Sequence, residues 1–373
     1  MKAWPVLGIV LMQALLALAH WFIFDTLVVF WAGLSPAEVL ALRLGLSLLA
    51  FSFMAAALLG FSYSNPPVRV VYKIAAVWLG FLNFFFLAAC ASWLAWFALQ
   101  FYGQSQNAAR YRPPIATTFF ALALAAGVYG LLNAQWIRIR RIRVELPCLP
   151  AAWRGRTALV VSDLHLGHVN GPGFSRRIAR LAARLRPDIV FLPGDFFDGS
   201  KADADRLAAP FRELSPPFGI YFSSGNHEGF GSEAHYAEVL VRAGIRVLAN
   251  ERVTVDGLHI LGVDYGDSTY PMRLRAFLQS LGPASGQATI LLHHVPNRLP
   301  IVEQAGVSFQ LSGHTHGGQL FPFNWFTRLV FGKYTYGLQR FGALQVYTSS
   351  GAGTWGPPMR VGTHPEIVLL TFE

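Results

Sequence analysis

Charged side chains and cysteines are scarce in this chain of 373 residues. Only 13% of the residues are charged while 53% are hydrophobic, which excludes an ordinary soluble domain over the whole length. Cys90 and Cys148, the two cysteines, are too few for a disulfide framework or a thiolate metal site. Any metal that this protein binds must therefore be held by nitrogen and oxygen ligands.

Acidic residues are rarest in the first part of the chain. Residues 1–145 contain only three, Asp25, Glu38 and Glu145, against ten Lys and Arg, and so carry +7 of the formal net charge of +10. The rest contributes only +3. Because the basic excess belongs to an apolar region, the composition gives no support for a nucleic-acid partner.

Residues 1–145 also contain four long apolar stretches, separated by segments rich in proline, asparagine and serine. A bilayer core about 30 Å thick requires about 20 helical residues. We therefore expect an all-α transmembrane region with four helices, at about residues 6–31, 39–61, 74–101 and 115–136.

The positions of Lys and Arg predict the orientation in the membrane, because positive residues favour the cytoplasmic side. With four spans, both ends of the region share one side. That side collects Lys2, Arg69, Lys73, Arg138, Arg140, Arg141 and Arg143, while the other collects Arg110 and Arg112. We expect an integral protein of a bacterial inner or plasma membrane, with residues 146–373 in the cytoplasm. The run "RIRRIR" is interpreted as a topology signal, and binding of anionic lipid headgroups is compatible with that role.

From Thr157 onwards, short apolar segments that end in polar clusters alternate with amphipathic ones. This pattern is typical of an α/β domain, in which ligands bind beyond the carboxyl ends of the strands. Five such clusters occur in order: "SDLHLG", "GDFFDG", "GNHE", "LLHHVP" and "LSGHTHGGQ". Each alone could be a cap, a turn or a buried histidine. Together they contain six of the 11 histidines, which favours a shared site.

These five motifs closely resemble the ordered signature of the calcineurin-like metallophosphoesterase superfamily. The continuation "GHTHGGQLFPF" and the later "GTWGPPMR" look like its branch of membrane-associated bacterial phosphoesterases. The resemblance covers about residues 150–373. It implies a four-layer α/β/β/α sandwich that hydrolyses a phosphoester or pyrophosphate bond, by in-line attack of a hydroxide bridging two divalent metal ions.

The resemblance also implies a role for each residue. One ion would be held by Asp163, His165, Asp195 and His316, and the other by Asp195, Asn226, His294 and His314. Asp195 would bridge the two ions, and His227 would protonate the leaving oxygen or stabilise developing charge. Mn²⁺ is favoured, with Fe or Zn²⁺ as alternatives.

The histidines in and beside these motifs are not equivalent. Neighbouring strand residues face opposite ways, so only one of His293 and His294 should bind metal, and the family's His-x-Pro element selects His294. His314 and His316 are expected to lie on one face of an extended segment, each addressing one ion. His168 is expected to be a solvated loop residue, and contact with the substrate is the alternative.

The substrate is less constrained by the sequence. Seven aromatic residues lie within residues 321–336, in a predicted loop that either packs on its own domain or contacts the bilayer or acyl chains. The membrane region makes a lipid-linked phosphoester a candidate substrate, and a soluble nucleotide or general phosphodiester is the alternative. A different class of function is a non-catalytic scaffold serving a membrane receptor or transport accessory. The complete set of expected site residues favours the enzyme.

Overall fold

The computed structural model describes residues 3–102, 109–281 and 286–373. Contacts divide the chain into two compact units. One comprises Met1–Leu132 with Gly356–Met359, and the other comprises Asn133–Trp355 with Arg360–Glu373.

Four long helices dominate the N-terminal part: α1 (Ala3–Phe30), α2 (Pro36–Ser62), α3 (Pro66–Phe101) and α4 (Arg112–Gln135). All four are long and apolar enough to cross a membrane, which confirms the expected number. Ser35 begins α2 with a capping box that includes Glu38, and Asn65 caps α3. Between α1 and α3, the indole of Trp78 donates to His20 at 2.9 Å, so this buried polar pair is satisfied within the bundle.

The C-terminal unit contains two six-stranded sheets. The strands are β1 (Arg138–Val144), β2 (Thr157–Val160), β3 (Ile189–Pro193), β4 (Ile220–Ser223), β5 (Arg246–Val247), β6 (Glu251–Val255), β7 (Leu258–Gly262), β8 (Thr289–Leu292), β9 (Phe309–Ser312), β10 (Gly337–Phe341), β11 (Leu344–Thr348) and β12 (Glu366–Phe372). One sheet has the order β1-β12-β2-β3-β4-β5 and the other β10-β11-β9-β8-β7-β6. The helices are α5 (Pro172–Leu185), α6 (Ala204–Ala208), α7 (Glu233–Arg242), α8 (Tyr265–Ser268), α9 (Pro271–Ser280), α10 (Leu299–Gln304) and α11 (Phe323–Phe331).

The two sheets pack face to face, and helices cover their outer faces. Phe191 of β3 and Phe309 of β9 belong to one buried cluster between the sheets. On the outer side of the first sheet, Ile178 of α5 packs with Val190. On the outer side of the second, clusters join α9 and α10 to β7 and β8. The expected four-layer α/β/β/α sandwich is therefore confirmed.

The arginine-rich run forms a strand that the sequence did not predict. Residues Arg138–Val144 pair in parallel with β12, with Arg138 opposite Glu366. Its apolar residues do not alternate with period two, so the usual signal of a half-buried strand is missing. The run is therefore an edge strand of the first sheet.

Candidate metal centre

The five polar motifs converge because of how the strands are arranged. β2, β3 and β4 are parallel neighbours in one sheet, and β8 and β9 are parallel neighbours in the other. Parallel neighbours end at the same edge of a sheet, so the segments that follow them meet beyond that edge.

Backbone conformation at the site is unusual. Six non-glycine residues of the motifs have positive φ angles between 45° and 68°, namely Asp163, His165, Asp195, His314, His316 and Gln319. Such conformations are costly for residues with a side chain and persist where the surroundings enforce them, often at functional sites. β9 ends at Ser312, so the expectation that His314 and His316 lie on an extended segment is wrong. A turn, and not strand alternation, separates their side chains.

The first group of side chains comprises Asp163, His165 and His316, whose ligand atoms lie within 4.8 Å of one another. Nε2 of His165 is 2.9 Å from Nε2 of His316, and the latter is 3.6 Å from Oδ1 of Asp163. All three residues are buried. This is the set that the motifs predicted for one ion, without Asp195.

The second group comprises Asp195, His294 and His314. Nε2 of His294 lies 3.1 Å from Oδ2 of Asp195, and Nδ1 of His314 lies 2.8 Å from Oδ1 of Asn226. His293 is equally buried but belongs to none of these groups.

Asp195 connects the two groups. Its Oδ2 lies 3.6 Å from Nε2 of His165, and a third group of possible ligand atoms joins it to His165 and His227. The structure thus brings together all eight residues that the sequence analysis selected.

Burial keeps most of these histidines neutral. Desolvation lowers the pKa of His165 and of His316 well below the usual value, and lowers the pKa of His314 to about 4. A neutral imidazole retains a lone pair that can bind a cation.

Asp195 and His294 behave differently because they face each other. Burial disfavours the charged form of Asp195, but the nearby His294 outweighs it and holds the pKa of the carboxyl well below its usual range. Burial likewise opposes protonation of His294, yet the Asp195 carboxylate raises the pKa of this imidazole to about 9. The pair shows how strongly positive charge is favoured beside Asp195.

The donor set fits divalent metal ions. Oδ2 of Asp163 and Nδ1 of His165 are buried without a hydrogen-bond partner among the described residues, and such atoms are costly unless something binds them. Carboxylate, amide and imidazole groups without thiolate are ligands of Mn²⁺, Fe and Zn²⁺.

Two buried charged residues support this centre, and the sequence analysis assigned neither a role. The carboxylate of Glu228 accepts hydrogen bonds from the backbone N–H groups of Gly225 at 2.7 Å and Asp195 at 3.1 Å. Burial and the Asp195 charge raise the pKa of Glu228 to about 7. The guanidinium of Arg360 donates to the carbonyl oxygen of His316 at 2.9 Å. Both residues lie within motifs that the sequence displays, "GNHE" and "GTWGPPMR".

His227 is held by one hydrogen bond at its backbone and one at its ring. Its N–H donates to Oδ1 of Asp195 at 2.9 Å, and its Nδ1 lies 3.0 Å from the carbonyl oxygen of Asp198. Donation from Nδ1 to that carbonyl leaves Nε2 as the ring atom for proton exchange. His168 is only 1% exposed, and its backbone N–H donates to the Asp198 carboxylate, so the prediction of a solvated loop residue is wrong.

Comparison with known proteins identifies relatives of the C-terminal part. Residues 156–318 match the family model of calcineurin-like phosphoesterases. An uncharacterized metallophosphoesterase of Aquifex aeolicus (strain VF5) is 34% identical over 259 residues, which is 68% of this chain and 98% of that protein. A transmembrane protein with metallophosphoesterase domain of Danio rerio is 30% identical over 69% of this chain and 62% of its own length. A further uncharacterized metallophosphoesterase, of Campylobacter jejuni, is 28% identical over 66% of both chains.

Proposed function

Because this chain belongs to the calcineurin-like metallophosphoesterase family and is a metal-dependent phosphoesterase, we propose that it cleaves a phosphoester or pyrophosphate bond in a lipid-linked substrate. The observation that carries the proposal is the convergence of imidazole and carboxylate groups on Asp195. The lipid-linked substrate is favoured by the four apolar helices of the same chain.

We propose that the centre holds two divalent ions, with Mn²⁺ favoured and Fe or Zn²⁺ as alternatives. The first ion would be held by Asp163, His165, Asp195 and His316, and the second by Asp195, Asn226, His294 and His314. Two adjacent ions supply an activated water and neutralise phosphoryl charge during in-line displacement.

The residues of the chain have the remaining tasks. Asp195 lies between the two groups and would keep the ions adjacent, while Glu228 fixes the backbone that carries it. His227 would give a proton to the leaving oxygen from Nε2, because Nδ1 is engaged by Asp198. Neutral His314 and His316 suit cation binding at neutral pH.

The test is metal-dependent hydrolysis by the purified full chain in detergent. Wild type would be compared with Asp195→Asn and His227→Ala on bis(p-nitrophenyl) phosphate, p-nitrophenyl phosphate, UDP-2,3-diacylglucosamine and a phospholipid. We expect turnover that requires Mn²⁺ and falls by at least about 100-fold in each variant, the size of a lost acid–base or electrostatic contribution.

The substrate panel separates the alternatives. Faster cleavage of the two lipids than of the soluble esters would support the lipid-linked substrate, and the reverse order would favour a nucleotide or general phosphodiester. No turnover on any compound, by protein that carries its metals, would contradict the proposed reaction.

A further inference from the structure

Helix α11 has its apolar side facing away from the domain. Phe323, Trp325, Phe326, Leu329 and Val330 are between 50% and 83% exposed. At 100° per residue, these five positions form one continuous arc of about 160° on the helix surface. In a helix on the surface of a soluble domain, the apolar arc normally faces the core. In α11 the apolar arc faces away from the core. The aromatic segment is thus a helix, and not the loop that the sequence analysis expected.

The opposite side of α11 packs against the turn that carries the site histidines. A Cβ added to Gly318 would overlap the Cα of Asn324, so the helix backbone comes directly against this turn. Phe331, the last residue of α11, lies with its ring centroid 6.1 Å from that of His314 in an edge-on arrangement. Only the thickness of α11 therefore separates its exposed apolar side from the turn that carries His314.

A basic cavity borders the same helix within the C-terminal unit. It has a volume of about 400 Å³, and its lining includes Asn324, Trp325, Arg328, Lys333, Thr363 and His364. No Asp or Glu of the described residues lines it. Neither Arg328 nor Lys333 forms an ion pair within residues 3–102, 109–281 and 286–373. Among the residues that the structure describes, the cavity therefore offers two cations without a carboxylate partner.

We propose that α11 is an interfacial helix that docks on a bilayer containing anionic phospholipid. Its exposed apolar arc enters the acyl boundary, and a lipid phosphate enters the cavity beside Arg328 and Lys333. Aromatic and leucine side chains flanked by basic residues are the composition that binds membrane interfaces. The four apolar helices of the same chain keep a bilayer within reach of the domain. This docking would bring a lipid-linked phosphoester to the site, an inference that rests on the proposed function.

The experiment uses spin labels on the full chain in lipid nanodiscs. Cys90→Ala and Cys148→Ser first remove the native thiols, and a nitroxide is then attached at Leu329→Cys or, as the matched control, at Met272→Cys on α9. Both parent side chains are 83% exposed, so neither label replaces a packed residue. Collision with oxygen reports lipid, and collision with a water-soluble nickel chelate reports solvent.

We expect the label at position 329 to meet mainly oxygen and the label at 272 mainly the nickel chelate. Omitting anionic lipid, or introducing Arg328→Gln with Lys333→Gln, should lower the ratio of lipid-exposed to water-exposed label at 329 by about 25-fold. Each basic residue near an anionic surface contributes about a fivefold preference, and the contributions of the two residues multiply.

Two outcomes would overturn the inference. Equal solvent access at 329 and 272 would exclude docking. Lipid exposure at 329 that is indifferent to anionic lipid and to the double variant would exclude the headgroup in the cavity. The spin-label measurement does not depend on turnover. A result that excludes docking therefore does not contradict the proposed reaction, and absence of hydrolysis does not contradict the docking.

Discussion

At the scale of single residues, the site depends on how Asp195 is held. One oxygen of its carboxylate faces His294 and His165, and the other accepts the N–H of His227. Its own N–H donates to Glu228, which also accepts from the N–H of Phe197 at 3.0 Å. Glu228 therefore fixes the backbone at Asp195 and at Phe197. It is not itself one of the candidate metal ligands among the described residues.

Replacing this support should weaken metal binding. In Glu228→Gln, the amide nitrogen would face backbone N–H groups, so at least one donor loses its acceptor. We expect metal affinity to fall about 10- to 100-fold, as for other outer-shell partners of metal ligands. The free energy of unfolding should fall by about 1–3 kcal/mol. Metal titration and chemical denaturation measure the two effects.

The control for that substitution is Glu238→Gln on α7, where the side chain is 71% exposed. It should change neither quantity beyond about 0.5 kcal/mol. Wild-type metal affinity in Glu228→Gln would show that Glu228 does not position Asp195.

The sequence predicts the candidate metal ligands better than it predicts the residues that hold those ligands in place, Glu228 and Arg360. Asp163, His165 and Asp195 stand in short motifs at strand ends, so their convergence follows from the order of the strands. The contact of Glu228 with the N–H of Asp195 spans 33 residues, and the contact of Arg360 with the carbonyl oxygen of His316 spans 44 residues. No local pattern specifies such contacts.

At the scale of elements, the regular parts were predictable and two others were not. The four apolar helices follow from length and composition, and the sandwich follows from alternating strand and helix patterns. β1 lacks strand periodicity, since the arginines of its run interrupt the alternation. α11 has a clear helical arc, but periodicity alone does not say whether the apolar side faces a core or something outside the domain.

At the scale of the whole molecule, the chain joins four helices that are long and apolar enough to cross a membrane to a phosphoesterase domain. We propose that this domain lies in the cytoplasm of a bacterial cell, since Lys and Arg accumulate on the side shared by the two ends of the four-span region. Cys148 provides a native reporter because it belongs to the C-terminal unit and its side chain is exposed.

A membrane-impermeant maleimide should therefore modify Cys148 in inverted membrane vesicles and leave it unmodified in right-side-out ones. Mass shift on a denaturing gel measures the reaction, and Cys148→Ser corrects for modification of Cys90. The opposite labelling pattern would place the catalytic domain outside the cytoplasm.

We propose that this domain holds two divalent ions that would share Asp195 as a ligand, and a measurement of metal content tests this proposal most directly. Full-length protein would be stripped with chelator, reconstituted separately with Mn²⁺, Fe²⁺ and Zn²⁺, freed of excess metal and measured by mass spectrometry of the elements. We predict about two ions per chain for the wild type with at least one of these metals, and fewer than one for Asp195→Asn, because both ions lose a ligand. A wild type that binds no more metal than Asp195→Asn would contradict the account.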